Sequence, residues 1–402
     1  MKLPEKLHIR ETCPREGWQN YRSFIPTQTK RRLVKAMVDS GARDIELGIV
    51  SDSPKLGWQF TDLEELLRLL REDTAGTEVV FAAQVENAET VQRAMDMGFT
   101  HVHFFISMSE AFSQAVSGQP SEHALWELEK AMKLGAEIDV GFGAALACPY
   151  GEPISDAHVL KRIDQIRQLG VRRYSLADTG GVATPDHVRH ILHLIGEHFA
   201  LSEVSVHLHQ TSGMGVANAF AAMEEGVFSM DASLGAMGGC PFVKGAKGNI
   251  ATEDLVNMAR KMGMACDQDY EKTLGASLLQ SRLLELLTFL QFLITRHDKK
   301  KGKHKSLMDA IGAVRKDLDE LREEINEDRA VNARIRILSF SDEVQRNIRH
   351  SKESFDQIHL DIDSYESYCS SHKDYKNSKA VAAISHIEQI YQECLKDEEG
   401  FL

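Results

Sequence analysis

The stretch "VHLHQ" (206–210) sets His207 and His209 two apart in a run with the apolar character of a strand, so both imidazoles leave the same face. Two imidazoles on one face can share a divalent ion, although a lone pair of this kind is more often two buried, hydrogen-bonded histidines. Oxygen donors elsewhere in the chain strengthen the metal reading. Glu16 offers a carboxylate and Asn249 an amide carbonyl, provided the fold brings them to the same place. A mixed His, carboxylate and amide set with positions left for substrate oxygens suits Mg2+ or Mn2+ better than a closed structural zinc site. A second chemical feature is the glycine-rich loop "GGCPFVKGAKGN" (238–249), which carries Cys240 at one end and Asn249 at the other. Its sequence fits a phosphate cradle, half of a disulfide or a closing lid, and the lid is favoured because glycines allow closure.

The elements that must position these groups are visible as a repeat. Short β-rich runs fall at 7–13, 44–50, 78–85, 101–107, 137–146, 172–178, 204–210 and 229–235. Most are near-continuous apolar segments, as expected of parallel strands buried on both faces. Amphipathic helical stretches lie between them, several closing on glycine ("MVDSG", "AMDMG", "AMKLG", "IRQLG") and others opening at Ser121 or Pro185. Eight such units predict an α/β fold, a closed (β/α)8 TIM barrel, with an open doubly wound sheet as the competitor. In a barrel, chemistry belongs at the C-terminal strand ends. Arg15, Glu16, Glu46, Asp178, His207, His209 and the Cys240 loop all fall there.

Residues 1–282 are read as this barrel and 283–402 as an α-helical extension. In the latter, Leu307, Ile311, Val314, Leu318, Leu321 and Ile325 form an a/d stripe that predicts a short coiled coil and self-association into a homo-oligomer. Twelve apolar residues, "LLELLTFLQFLI" (283–294), are too few to span a bilayer, which takes about 20. They predict a buried helix, with a membrane-surface contact near 283–305 as the weaker reading. A net charge of −13 argues against nucleic-acid binding. Six cysteines without a CxxC pair do not make a disulfide scaffold, and no apolar signal segment opens the chain, so a cytoplasmic location is expected. Cys13 and Cys148 are expected as small core residues.

Five segments carry a family likeness: "ETCPREGWQN" (11–20), "ALACPYGEPI" (145–154), "SLADTGGVATP" (175–185), "VHLHQTSGMGVAN" (206–218) and "GGCPFVKGAKGNIATEDLV" (238–256). In type and order they resemble the signatures of 3-hydroxy-3-methylglutaryl-CoA lyase and its relatives among the metal-dependent lyase and Claisen-condensing barrels. The likeness covers roughly residues 5–265. It implies Glu16, His207, His209 and Asn249 as metal ligands, Arg15 beside a thioester oxygen, Glu46 and Asp178 orienting substrate and water, and Cys240 as an acid/base thiol. His207 or Asp178 is the candidate base, and the candidate substrate contacts are Gln19, Arg22, Lys244 and Glu253. Arg22 stands where the family carries a basic residue near the CoA phosphates, whereas loop lysines such as Lys244 and Lys247 are more often merely solvated.

The chain departs from the family at Glu16, where aspartate is usual, and at Gln210, where an acid is usual. The extra methylene of Glu16 moves the carboxylate by about 1.5 Å. The expected activity is metal-dependent cleavage of 3-hydroxy-3-methylglutaryl-CoA, or a related β-hydroxy acyl-CoA, to acetyl-CoA and a keto acid. A Claisen-condensing acyltransferase or aldolase is the alternative enzyme, against which Cys240 argues. A catalytically weakened barrel acting as an assembly scaffold through its helical tail is the non-enzymatic reading.

Overall fold

The computed structural model describes residues 3–298, 327, 330–346, 348–372, 375, 378–396 and 401. Eight parallel strands form the centre: β1 (Lys6–Glu11), β2 (Asp44–Ile49), β3 (Val80–Val85), β4 (His101–Ser107), β5 (Glu137–Gly143), β6 (Tyr174–Asp178), β7 (Val204–Leu208) and β8 (Ser229–Ala232). They run in sequence order, and β1 pairs with both β8 and β2, so the sheet closes and an open doubly wound sheet is excluded. A two-residue strand, β9 (Ala265–Cys266), extends the start of β1.

Each strand is followed by a main helix: α1 (Thr27–Asp39), α2 (Leu63–Asp73), α3 (Ala88–Asp96), α4 (Ser121–Ala131), α5 (Asp156–Gln168), α6 (Pro185–Gly196), α7 (Gly215–Glu224) and α8 (Thr252–Lys261), with shorter helices over Pro54–Gly57 and Glu110–Ser117 ahead of α2 and α4. Their ends follow the sequence signals in most cases. Pro185 opens α6 behind Thr184, whose side chain accepts the His187 amide. Gly98, past the end of α3, takes φ 102°, a backbone that a side chain rarely tolerates. Ser121 opens α4 as its first residue, but the cap position is Pro120, and the Ser121 Oγ instead accepts Arg162 Nη2 at 2.8 Å.

The strands are buried on both faces, but the two faces differ in kind. Leu7 and Ile9 of β1 join the apolar layer shared with the helices, as do Ile45, Val102, Val140, Val206 and Met230. The alternate residues Arg10, Glu46, His101, His103, Asp139, Ser175, Ser205, His207 and Asp231 are also buried. Barrel interiors are usually filled by layers of branched apolar side chains. Here charge fills much of the interior, and buried charge must be paired.

After the barrel comes a long helix, α9 (Tyr270–Asp298). The expected boundary at 282/283 falls inside it; the chain divides into compact units at 292/293. The apolar run in α9 is not buried all round. Leu284 is buried, and Leu283 and Leu287 pack on the barrel core, whereas Phe289 and Phe292 are exposed. Among the described residues no helix is long and apolar enough to cross a membrane. The second unit contains helices over 330–345 (α10), Lys352–Ser371 (α11) and Ser378–Cys394 (α12). It has its own core, built on residues such as Ile337, Phe355, Ile362, Tyr365 and Ile387. The a/d stripe at 307–325 lies outside the described residues.

Candidate active site

Arg15 and the buried Glu16 locate the site. Beyond β1 the chain makes one helical turn, Cys13–Gly17, which carries Arg15 and Glu16. Glu11 fixes this turn. Its Oε1 accepts the amides of Cys13 (2.9 Å) and Leu234 (3.0 Å), and its Oε2 accepts Thr252 Oγ1 (2.7 Å). One carboxyl thus ties together the turns after β1 and β8 and the start of α8. Burial pushes it up to about 7, against the lowering effect of those three donors.

Glu16 sits against both histidines of β7. Its Oε1 is 2.9 Å from His209 Nε2, its Oε2 is 3.1 Å from His207 Nε2, and the two Nε2 atoms are 3.1 Å apart. The opposite edge of each ring has its own acceptor. His209 Nδ1 meets the Thr179 carbonyl at 2.8 Å and His207 Nδ1 meets Asp231 Oδ2 at 3.1 Å. Each Nδ1 therefore carries a proton, and each Nε2 is turned toward the carboxylate. Oε2 of Glu16 makes no hydrogen bond although it is buried. Burial opposes charge at both groups, yet the histidines and Arg15 hold Glu16 well below the usual carboxylate range, and Glu16 and Asp231 raise His207 to about 10. The cluster demands positive charge at its centre. A carboxylate and two imidazoles oriented from behind fit a divalent ion in that role.

Asn249 adjoins this cluster. It pairs with His209 as an isolated antiparallel bridge, flanked by Gln210 N on Gly248 O (2.9 Å) and Ile250 N on Leu208 O (3.1 Å). Its Nδ2 donates to Met237 O at 2.9 Å. Gly238, at φ 120°, makes the close approach possible: a Cβ there would collide with the Asn249 amide and lie 3.0 Å from Glu16 Cγ.

The strand register extends the cluster into a closed ring of charge. Arg10 on β1 is in register with Asp44 on β2 and with Asp231 on β8, and Asp231 is in register with His207 on β7. Arg10 Nε contacts Asp44 Oδ2 (3.3 Å), Nη1 lies 3.8 Å from Asp231 Oδ1, and Nη2 reaches across to Asp139 Oδ2 (2.9 Å). Asp139 lies 3.7 Å from His103 Nε2, and His103 Nδ1 is 2.9 Å from Glu46 Oε1. Arg15 closes the circuit, with Nε 2.5 Å from Glu46 Oε2 and Nη2 3.3 Å from Glu16 Oε2. Burial alone would raise Glu46, but Arg15 and His103 bring it down to about 2. His101, His103 and Asp139 also gather closely enough to hold an ion. Arg10 on one Asp139 oxygen and Arg173 on the other (2.9 Å each) already satisfy that carboxylate.

Above the ring opens a cavity of about 930 Å³, counting its solvent-open mouth, walled by Arg15, Glu16, Gln19, Glu46, His103, His207, His209 and Cys240 among others. Apolar residues, including Leu56, Phe105, Phe112 and Phe242, complete the wall. The loop over it is held by Asn20 Nδ2 on Gly239 O (2.6 Å), Tyr150 Oη on Phe242 O (2.5 Å) and Lys247 N on Thr211 Oγ1 (3.2 Å). Burial, aided by the charge of Glu16, pushes the Cys240 thiol up to about 11, so it is protonated at neutral pH.

Other residues singled out from sequence lie elsewhere. Asp178 is fully buried and outside the cavity wall; its oxygens accept the amides of Val182 and Ala183 (3.0 Å each), shaping the turn that presents Thr179 O to His209. Glu253 accepts Gly235 N (3.1 Å) and Ser277 Oγ (2.8 Å), joining the turn after β8 to α9. Arg22 and Lys244 are exposed and not on the wall. Arg10, His103, Asp139 and Asp231 were not selected from sequence. Their signal was there as isolated charge within apolar strands, at the alternate positions that face the interior.

Comparison with known proteins agrees with this architecture. The HMGL-like family model matches residues 6–279. The chain belongs to the HMGL-like family. It is 32% identical over 278 residues to the mitochondrial hydroxymethylglutaryl-CoA lyase of Mus musculus, covering 68% of this chain and 84% of that enzyme. It is 31% identical over 284 residues to the (R)-citramalyl-CoA lyase of Chloroflexus aurantiacus, covering 68% and 89%. Among solved structures, an HMG-CoA lyase from Acinetobacter baumannii in complex with coenzyme A and 3-methylmalate superposes with a TM-score of 0.65 at 27% identity, over 71% of this chain and 93% of that one. These relatives are carbon–carbon lyases, and that is the enzyme class of this chain.

Proposed function

We propose that this chain cleaves a β-hydroxy acyl-CoA, with 3-hydroxy-3-methylglutaryl-CoA or a close analogue as substrate, to acetyl-CoA and a keto acid, using Mg2+ or Mn2+ held by Glu16, His207, His209 and Asn249. The observation that carries the reading is the Glu16–His207–His209 cluster opening into the same cavity as the Cys240 thiol and the Arg15 guanidinium. When bound, the ion supplies Lewis acidity and fixed positive charge toward the substrate's oxygens.

The remaining chemistry belongs to the chain. Arg15 faces the thioester oxygen, on which negative charge grows as the carbon–carbon bond breaks. Cys240 then gives its proton to the enolate carbon. The hydroxyl proton has to leave to a base on the cavity wall. Asp178 is outside that wall with both oxygens on amides, and His207 turns Nε2 to the metal cluster and Nδ1 to Asp231. His103 fits the role better than either. Its Nδ1 faces Glu46, its Nε2 has no hydrogen-bond partner, and the ring lies on the wall. The balance closes when the proton taken by His103 returns through solvent to the Cys240 thiolate. Gln19 contributes to the substrate wall, while exposed Arg22 and Lys244 are assigned to the charged outer part of CoA.

The half-buried Cys240 thiol on the cavity wall favours cleavage over condensation on this barrel. The test is to supply the acyl-CoA with metal and follow acetyl-CoA release by wild type and Cys240→Ala. Release by wild type and a loss of about 100-fold or more in the variant is expected; equal rates would remove Cys240 from the reaction. Condensation of acetyl-CoA with an oxo acid at a rate indifferent to Cys240 would support the synthase reading instead.

A further inference from the structure

We propose that Asp231, itself held by Arg10, is a positioning residue that orients His207 for the metal ion. The inference rests on the metal reading above and goes beyond the ligand set. Asp231 Oδ2 lies 3.1 Å from His207 Nδ1, and register places the two residues side by side on β8 and β7. The contact fixes the Nδ1–H tautomer and points Nε2 at Glu16, 3.1 Å away. Asp231 Oδ1 has no hydrogen-bond partner and lies 3.8 Å from Arg10 Nη1, so ionic attraction holds it on that side.

Arg10 is buried with its charge; burial alone would lower its pKa, but four carboxylates, Asp44, Asp231, Asp139 and Glu46, raise it, and the first three contact it directly. It therefore clamps β1, β2, β5 and β8 about one point, and Asp231 passes that fixed position on to one imidazole. His209 is oriented differently, by the Thr179 carbonyl at 2.8 Å. The two histidines thus have independent supports, one a charged side chain and one a backbone oxygen.

The register supplies an internal control. Asp44 also contacts Arg10 (3.3 Å), from β2 on the other side of β1, but its second ionic neighbour is His8 (3.2 Å) rather than a histidine of the ion cluster. Calorimetric Mn2+ binding to the full-length protein, compared among wild type, Asp231→Asn and Asp44→Asn, tests the proposal. Asp231→Asn is expected to weaken binding by about 10- to 100-fold, as loss of a ligand's outer partner typically does, with Asp44→Asn within about threefold of wild type. Thermal unfolding of each variant checks that the fold is kept. Should Asp231→Asn misfold, Asp231→Glu, which keeps the charge, must restore binding relative to the amide.

Unchanged affinity in Asp231→Asn, or equal weakening in both amide variants, overturns the proposal. Normal Mn2+ affinity in wild type without acyl-CoA cleavage would sink the lyase reading while leaving the positioning test intact. Absence of Mn2+ and Mg2+ binding by wild type overturns both.

Discussion

His103 shows most directly how environment assigns chemistry to one side chain. Nδ1 of the ring lies 2.9 Å from Glu46 Oε1, while Asp139 stands beyond hydrogen-bonding range of Nε2, at 3.7 Å, which leaves that nitrogen open to the substrate side. His103→Gln should lower kcat by about 10²–10⁴-fold and leave Mn2+ affinity unchanged. Steady-state rates beside calorimetry decide it; full kcat in the variant would return the base to another group. At this scale the sequence was informative where local spacing carries the chemistry. The HxH pair, the Arg15–Glu16 step and the Cys240 loop could be selected because each is a short run at the end of a recognisable strand. Arg10 and Asp139 could not be paired in advance, because 129 residues separate them and only barrel closure brings them to 2.9 Å. Asp178 and Glu253 illustrate the opposite limit: a carboxylate at a strand or helix end can serve a turn's amides as readily as a substrate.

Among the elements, the turns after β1 and β8 do the positioning, and Glu11 is the knot between them. Its carboxyl is raised from an ordinary 4.5 to about 7 by burial, so the folded chain holds a proton that the unfolded chain has released. The native contribution is therefore full below about pH 4.5 and fades as pH rises toward 7. Glu11→Gln keeps an acceptor for Cys13 N and Leu234 N but cannot ionise. Relative to wild type, the variant should gain stability between pH 5 and pH 7.5, by on the order of 3 kcal/mol. Denaturant unfolding at both pH values measures the gain; a difference independent of pH would show that Glu11 stays ionised in the fold. The alternation of strands and helices, and glycines such as Gly98, made the barrel legible, because helix ends and buried parallel strands leave local marks. The polar inner face was harder to see, since the strands read as apolar until every second residue is assigned inward.

At the scale of the whole molecule, the chain joins a barrel that contains a complete candidate site to a helical unit with its own apolar core. Sequence anticipated a helical extension after the barrel, because the strand–helix repeat stops and only helical patterns follow. It placed the boundary ahead of the division at 292/293 because the apolar run 283–294 looks like a new element, whereas it continues α9. Every acid, guanidinium and imidazole of the inner ring lies in the barrel unit, so the reaction should depend on that unit and its ion. The direct measurement is acetyl-CoA release from 3-hydroxy-3-methylglutaryl-CoA and related β-hydroxy acyl-CoAs by metal-stripped protein, before and after adding Mg2+ or Mn2+. The account predicts negligible release by the stripped protein, recovery on adding either ion, and no recovery in His207→Ala. Equal release with and without metal, or no cleavage of any such thioester with either ion, would contradict it.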